Sequence, residues 1–132
     1  VRPLTKGKLI AVFGSAGRRD EKKRPLQGNI AGASADVVVI TEEDDRDIDG
    51  REIIKEIAAG AKKAGKKEGK DLFLIGNREE AIGFALAQAS SADDVVVLLG
   101  KGHERTIERA DGAYPWDEAE VTRAALRALK HQ

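Results

Sequence analysis

Short apolar runs recur along the chain at wide intervals. They are Lys8-Leu9-Ile10-Ala11-Val12-Phe13, Asp36-Val37-Val38-Val39-Ile40-Thr41, Asp71-Leu72-Phe73-Leu74-Ile75 and Val95-Val96-Val97-Leu98-Leu99. Each is apolar at successive positions and is bounded by glycine or charged residues, which predicts buried strands. Between them the spacing of apolar residues turns helical. Pro25 suits the first turn of a helix, where its missing N–H would be unpaired anyway, and that helix runs to about Ala35. Ile53, Ile54, Ile57, Ala58, Ala61 and Ala64 mark one face of a second helix, opened by Asp49 and ended by Gly65. Asn77 caps a third, with the stripe Ala81, Ile82, Ala85, Leu86 and Ala89. Arg105–Ala110 reads as a short antiparallel strand turning at Asp111-Gly112. After it, Tyr114 and Trp116 pack at the start of a last helix, Glu118 to Lys130, capped by Asp117.

The order is βαβαβαβ, followed by a small β element and a helix. Strands apolar on both faces that alternate with helices predict an α/β domain of Rossmann-like, three-layer type. Its sheet is mostly parallel, helices cover both faces, and a small antiparallel element lies near the C-terminus. Right-handed crossovers put the strand-to-helix loops at one end. Gly14–Arg24, Glu42–Asp49, Gly76–Asn77 and Gly100–Glu104 should therefore cluster, at the end where open α/β sheets bind ligands. Gly28 and Gly32 lie four apart on the first helix, which should let that helix sit close to the sheet.

Composition narrows the function. A chain of 132 residues is one domain, 1–132. Lys plus Arg and Asp plus Glu both number 23, so the net charge is zero. That balance argues against a nucleic-acid or membrane-surface binder, which needs a net basic face. There is no cysteine for a disulfide or a thiolate metal site, and two histidines make a histidine-built zinc site a poor reading. No apolar run reaches the roughly 20 residues of a membrane span. A cytoplasmic location is expected.

Three stretches carry candidate chemistry. Gly14-Ser15-Ala16-Gly17-Arg18-Arg19-Asp20 follows a strand and precedes a helix, where backbone N–H groups collect anions. It lacks the spacing of a dinucleotide or P-loop fingerprint. It reads either as a tight turn with a solvated charge run, or as a site where Arg19 or Arg24 clamps a carboxylate or phosphate. Glu42-Glu43-Asp44-Asp45-Arg46-Asp47 reads as a surface acidic patch or as a recognition loop for a zwitterion. Lys101, His103 and Glu104 could support acid–base catalysis. No nucleophile at a strained elbow and no metal set joins them, so Glu104 as acceptor for a ligand ammonium is the simpler assignment.

The same stretches carry a resemblance. Val12-Phe13-Gly14-Ser15-Ala16-Gly17-Arg18-Arg19-Asp20 with Lys23-Arg24-Pro25, then Val39-Ile40-Thr41 with Glu43-Asp44-Asp45-Arg46, then Gly100-Lys101-Gly102-His103-Glu104, resemble the C-terminal domain of the Mur ligases. The type is the one that adds the third residue of the peptidoglycan stem peptide, from about Leu9 to Ala128. The resemblance implies an ATP-dependent amide-bond-forming ligase acting through an acyl phosphate. Its partners would be a UDP-N-acetylmuramoyl dipeptide and a diamino acid, diaminopimelate or lysine. ATP and magnesium would be held mainly by upstream domains, so no catalytic residue and no metal ligand is expected here, and this piece alone should be inactive. By matching position, Arg19 would bind the amino acid's far carboxylate, Asp44 and Arg46 would lie in the selectivity loop, and Gly100 and Glu104 would hold the far ammonium. Arg24, Lys101 and His103 would support them.

Two departures matter. The selectivity loop of the diaminopimelate-adding type usually reads Asp-Asn-Pro-Arg, where this chain has Glu43-Asp44-Asp45-Arg46. An ionised aspartate cannot donate to a carboxylate, which keeps lysine open. Nothing in Val1–Lys8 matches the strand and helix that normally open the domain. The domain is therefore expected to lack its first βα unit, and if that strand is interior, unpaired edges should lead to a homodimer through strand exchange. A free-standing α/β ligand-binding module, and a cyanophycin- or polyglutamate-type ligase domain, remain the alternative readings.

Overall fold

The computed structural model describes residues 7–14, 23–43, 50–101, 104–109 and 112–130. Among them the chain runs β1 (Leu9–Phe13), α1 (Lys23–Ser34), β2 (Val37–Ile40), α2 (Gly50–Lys63), β3 (Leu72–Leu74), α3 (Arg78–Gln88) and β4 (Val95–Leu98). A hairpin follows, β5 (Thr106–Arg109) and β6 (Gly112–Pro115), and then α4 (Glu118–Lys130). The first four strands form one parallel sheet in the order β3-β2-β1-β4. The expected α/β architecture is thus present, with the hairpin as its antiparallel element. The hairpin's second strand takes up Tyr114 and Pro115, which the sequence reading placed in a lead-in to α4.

Alternation along the strands builds two cores. Leu9, Ala11, Phe13, Val38 and Ile40 face Ile53, Ile57 and Ala61 of α2. Ile10, Val12, Val37 and Val39 face Ala81 and Ala85 of α3. Ile10, Val12, Val38, Val39 and Ile40 are all fully buried, at about 1.5–3 kcal/mol each. A third cluster, Ile82 with Ile107 and Trp116, ties α3 to the hairpin, and Val121 and Ala125 bring in α4. Tyr114, in contrast to Trp116, is exposed, with the Arg109 guanidinium 5.2 Å from its ring centroid.

The helix ends follow local chemistry. Asn77 accepts from the Glu80 N–H at 2.9 Å, and Asp117 accepts from the Glu120 N–H at 3.1 Å, as N-caps do. At the end of α2, Gly65 has φ +100°. Its N–H reaches the Lys62 carbonyl, and the Lys66 N–H reaches that of Ala61, which is the Schellman pattern.

The expectation for α1 needs correcting. Gly28 serves a helix–helix contact, not a helix–sheet one: a Cβ there would overlap the Ile57 carbonyl of α2. Gly60 of α2 answers it, since a Cβ there would overlap the Pro25 carbonyl. A Cβ on Gly32 would lie 2.9 Å from that of Ala64. Held against α2, α1 leaves part of the sheet open. A groove of about 570 Å³ runs there between Ala11 and Phe13 of β1, Ile30 and Ala31 of α1, and Val97 and Leu99 at β4.

The strand order also bears on the expected gap. The four strands of this sheet are contiguous, and its edges are β3, whose Leu72 is bridged to Glu68, and β4, whose outer side meets no strand among the described residues.

Candidate functional site

The connections that leave the four strands, three to helices and that of β4 to the hairpin, meet through their described residues at the carboxyl end of the sheet. β1 ends at Gly14, which approaches the Thr41 carbonyl so closely that a Cβ would overlap it. Thr41 Oγ1 lies 3.4 Å from the Gly76 carbonyl, after β3. β4 is prolonged by one bond, Leu99 N–H to the Val12 carbonyl at 2.9 Å, and then turns at Gly100. Gly100 has φ +111°, a region that disfavours side chains, and a Cβ there would also overlap the Glu43 carboxylate. The loops after β2 and β4 are therefore in contact at the pair Glu43–Gly100.

Past Gly100 the chain sets one cation under one anion. The Lys101 side chain is 0% exposed and that of Glu104 is 54% exposed. Lys101 Nζ lies 2.7 Å from Glu104 Oε2, and the Glu104 N–H donates to the Lys101 carbonyl at 2.9 Å. A buried aliphatic stem and a charged tip are what a lysine can offer here. The result is a carboxylate at the surface of the sheet end, one oxygen held from below and the other available to an incoming donor.

Of the sequence-predicted residues, Gly100, Lys101 and Glu104 are brought together with Glu43. Arg19, Asp44, Arg46 and His103 lie outside the described residues. Arg24 is buried on α1, and its Nη1 lies 2.8 Å from Glu56 Oε2 of α2, so it helps to hold the two helices together.

A buried ionic network beneath this end is missing from the sequence reading. Arg78, fully buried at the start of α3, donates Nε and Nη2 to the two Glu118 oxygens at 3.0 and 2.7 Å. Its Nη1 donates to the Glu42 carbonyl at 3.0 Å and its Nη2 to the Leu99 carbonyl at 2.9 Å. The Glu42 carboxylate accepts from the Arg78 N–H at 3.0 Å and from Arg109 twice at 2.8 Å. Trp116 Nε1 completes it on Glu118 at 3.0 Å. One signal for it was in the sequence: an arginine directly after a helix N-cap opposes the helix dipole, and so calls for a partner from elsewhere.

Among the described residues, the carboxyl whose acidity is clearly shifted is far from this site. Asp94, ahead of β4, accepts backbone N–H bonds from Ser90 and Lys8 at 2.8 Å and from Ser91 at 3.2 Å. These bonds, that from Ser90 foremost, hold it below the ordinary carboxylate value. Among the described residues no three acidic, histidine or cysteine side chains converge as a metal site would require, so no step is assigned to magnesium on this surface. Nor is any described helix long and apolar enough to cross a membrane.

Comparison with known proteins adds a family match and relatives. The family model described as "Mur ligase, glutamate ligase domain" matches residues 1–102. A UDP-N-acetylmuramyl-tripeptide synthetase of Roseiflexus sp. (strain RS-1) is 54% identical over 129 residues, which is 98% of this chain and 25% of that protein. A UDP-N-acetylmuramoyl-L-alanyl-D-glutamate–2,6-diaminopimelate ligase 1 of Clostridium acetobutylicum is 40% identical, over 97% of this chain and 25% of that protein. A solved structure of a UDP-N-acetylmuramoyl-L-alanyl-D-glutamate–2,6-diaminopimelate ligase superposes with a TM-score of 0.81 at 34% identity, covering 97% of this chain and 25% of that one. The chain thus spans about a quarter of the length of these relatives.

Proposed function

The chain belongs to the Mur ligase family, as its glutamate ligase domain, and from that premise we propose that it presents the incoming diamino acid in an ATP-dependent ligase. The reaction adds the third residue of the peptidoglycan stem peptide, in the cytoplasm. ATP transfers its terminal phosphoryl group to the free carboxylate of the UDP-N-acetylmuramoyl dipeptide, releasing ADP. The amino acid's amine then attacks the acyl phosphate, the amide bond forms and phosphate leaves. ATP and magnesium belong to upstream parts of the whole enzyme, and the 132-residue chain alone performs no ligation.

The observation that carries this reading is the Glu104 carboxylate, set on Lys101 beside the junction of Glu43 and Gly100. An anion with one oxygen already held and one available suits the far ammonium of a diamino acid, which brings three donors. The Gly100 carbonyl joins it. Arg19 takes the far carboxylate by its two-pronged geometry, with Asp44 and Arg46 in the selectivity loop. The Asp44-Asp45 pair keeps both diaminopimelate and lysine as substrates. The relatives' names divide in the same way, some specifying 2,6-diaminopimelate and others only a tripeptide synthetase.

Steady-state kinetics of the full-length ligase test it. Glu104→Gln should raise the KM for the amino acid by about tenfold, as expected when one charge-assisted hydrogen bond is weakened. The KM for ATP should stay within about twofold of wild type on the same scale. An unchanged amino-acid KM would remove Glu104 from the pocket, and a wild-type rate that ignores diamino acids would end the reading.

The open outer edge of β4 and the apolar groove beside it support a further proposal for the isolated chain, that it forms a homodimer by strand exchange.

A further inference from the structure

β2 and β4 do not touch as strands, because β1 lies between them. Their last carbonyls before the site loops are nonetheless held by one side chain. The Arg78 guanidinium binds the carbonyl of Glu42, which precedes Glu43, and that of Leu99, which precedes Gly100. Glu43 and Gly100 are the two residues through which the loops meet. The same guanidinium is oriented by the two bonds it donates to Glu118, so α4 sets its plane. Glu42, whose backbone is gripped by Nη1, is fixed a second time through its carboxylate by Arg109 and the Arg78 N–H.

Replacing a buried ion pair with apolar residues of similar volume is often neutral or stabilising, so such a network is weak evidence for a stability role. Its geometry points elsewhere. Both backbone contacts fall at the roots of the loops that wall the amino-acid pocket, and an arginine alone supplies a planar set of donors spanning both roots and a carboxylate at once.

We propose that Arg78 is a positioning residue for amino-acid recognition, fixing the distance between the Glu43 loop and the Gly100–Glu104 loop without touching the substrate. The proposal rests on the pocket assignment made above. Glu118 acts through Arg78, and Arg109 through Glu42. When Arg78 loses its fork, the two walls separate in register: the Gly100–Glu104 wall no longer faces the selectivity loop that follows Glu43 at one fixed span. The substrate penalty therefore falls on the amino acid, which lies between both walls, and not on the nucleotide.

The test uses the full-length ligase with Arg78→Lys and, as a variant that keeps side-chain shape, Glu118→Gln. Amino-acid saturation of the wild-type enzyme comes first, and its absence would strike the pocket assignment itself. Given that saturation, Arg78→Lys should raise the amino-acid KM by about tenfold or more while the ATP KM moves less than about twofold. It should also change the preference between lysine and diaminopimelate, which differ in the carboxylate beside the far ammonium. Glu118→Gln should move the same KM in the same direction by less. Either variant showing that split supports the proposal. Equal losses across both substrates, a change confined to the unfolding midpoint, or failure of both variants to fold would make the network purely structural and overturn it.

Discussion

Gly100 and Lys101 are neighbours that act on Glu104 by opposite routes. Gly100 contributes by lacking a side chain, which lets the loop turn at positive φ against Glu43. Lys101 contributes its whole length, filling buried space and ending on the carboxylate. The glycines and the ionisable groups of this loop were legible in the sequence as chemistry at a strand end. The burial of Lys101 was not, since a lysine among glycines reads as solvated until its surroundings are known. Arg78 was less legible still, because its partners Glu42, Leu99 and Glu118 come from three other elements. At the same scale Asp94 makes a pH prediction. Its folded carboxyl is more acidic than in the unfolded chain, so between the two values the unfolded state binds more protons. The stability it adds is complete above the ordinary aspartate value of about 3.9 and is lost as pH falls through the lower folded value. Urea midpoints measured down the acid limb should fall less steeply for Asp94→Asn than for wild type. Identical slopes would mean that the three N–H bonds do not persist in solution.

Between elements, the α1–α2 contact is set by backbone meeting backbone. Gly28→Ala or Gly60→Ala puts a methyl group onto a carbonyl that no rotamer can move, and should cost about 1–3 kcal/mol in urea unfolding. Gly83→Ala in α3 is the contrast: a Cβ there meets nothing within 4 Å, and the gain in helix propensity should be up to about 1 kcal/mol. If all three variants unfold alike, the close crossing is not what holds α1. The glycine spacing was readable in the sequence, but a single chain does not say whether a smooth helix face meets a sheet or a helix. The four sheet strands were legible because each is a run of consecutive apolar residues, although only β1 and β2 are buried throughout and β4 is half-buried. β6 was not, since Gly112-Ala113-Tyr114-Pro115 is short, exposed and without alternation, and is defined only by its pairing with β5.

For the whole molecule, the parallel sheet and its loaded end followed from the order of elements and the handedness of crossovers, so the clustering of loops was legible in the sequence. What covers the groove could not be. If the outer edge of β4 pairs with a second copy, light scattering on the isolated 132-residue chain should give twice the monomer mass. A strict monomer across a range of concentrations would exclude strand exchange.

The placement of β4 beside β1 has a consequence in time. β1 meets the start of β2 early, through Leu9 and Asp36, 27 residues apart. It meets β4 only through a closure such as Lys8 with Asp94, 86 residues apart. The longer closure adds only about 1 kcal/mol of chain entropy, but it cannot begin until the later residues exist. As the polypeptide leaves the ribosome, the half of the sheet that carries Gly14 and Glu43 can assemble while the Glu104 wall is still unmade. That end of the sheet is therefore completed from one side to the other, and the Glu104 carboxylate arrives last.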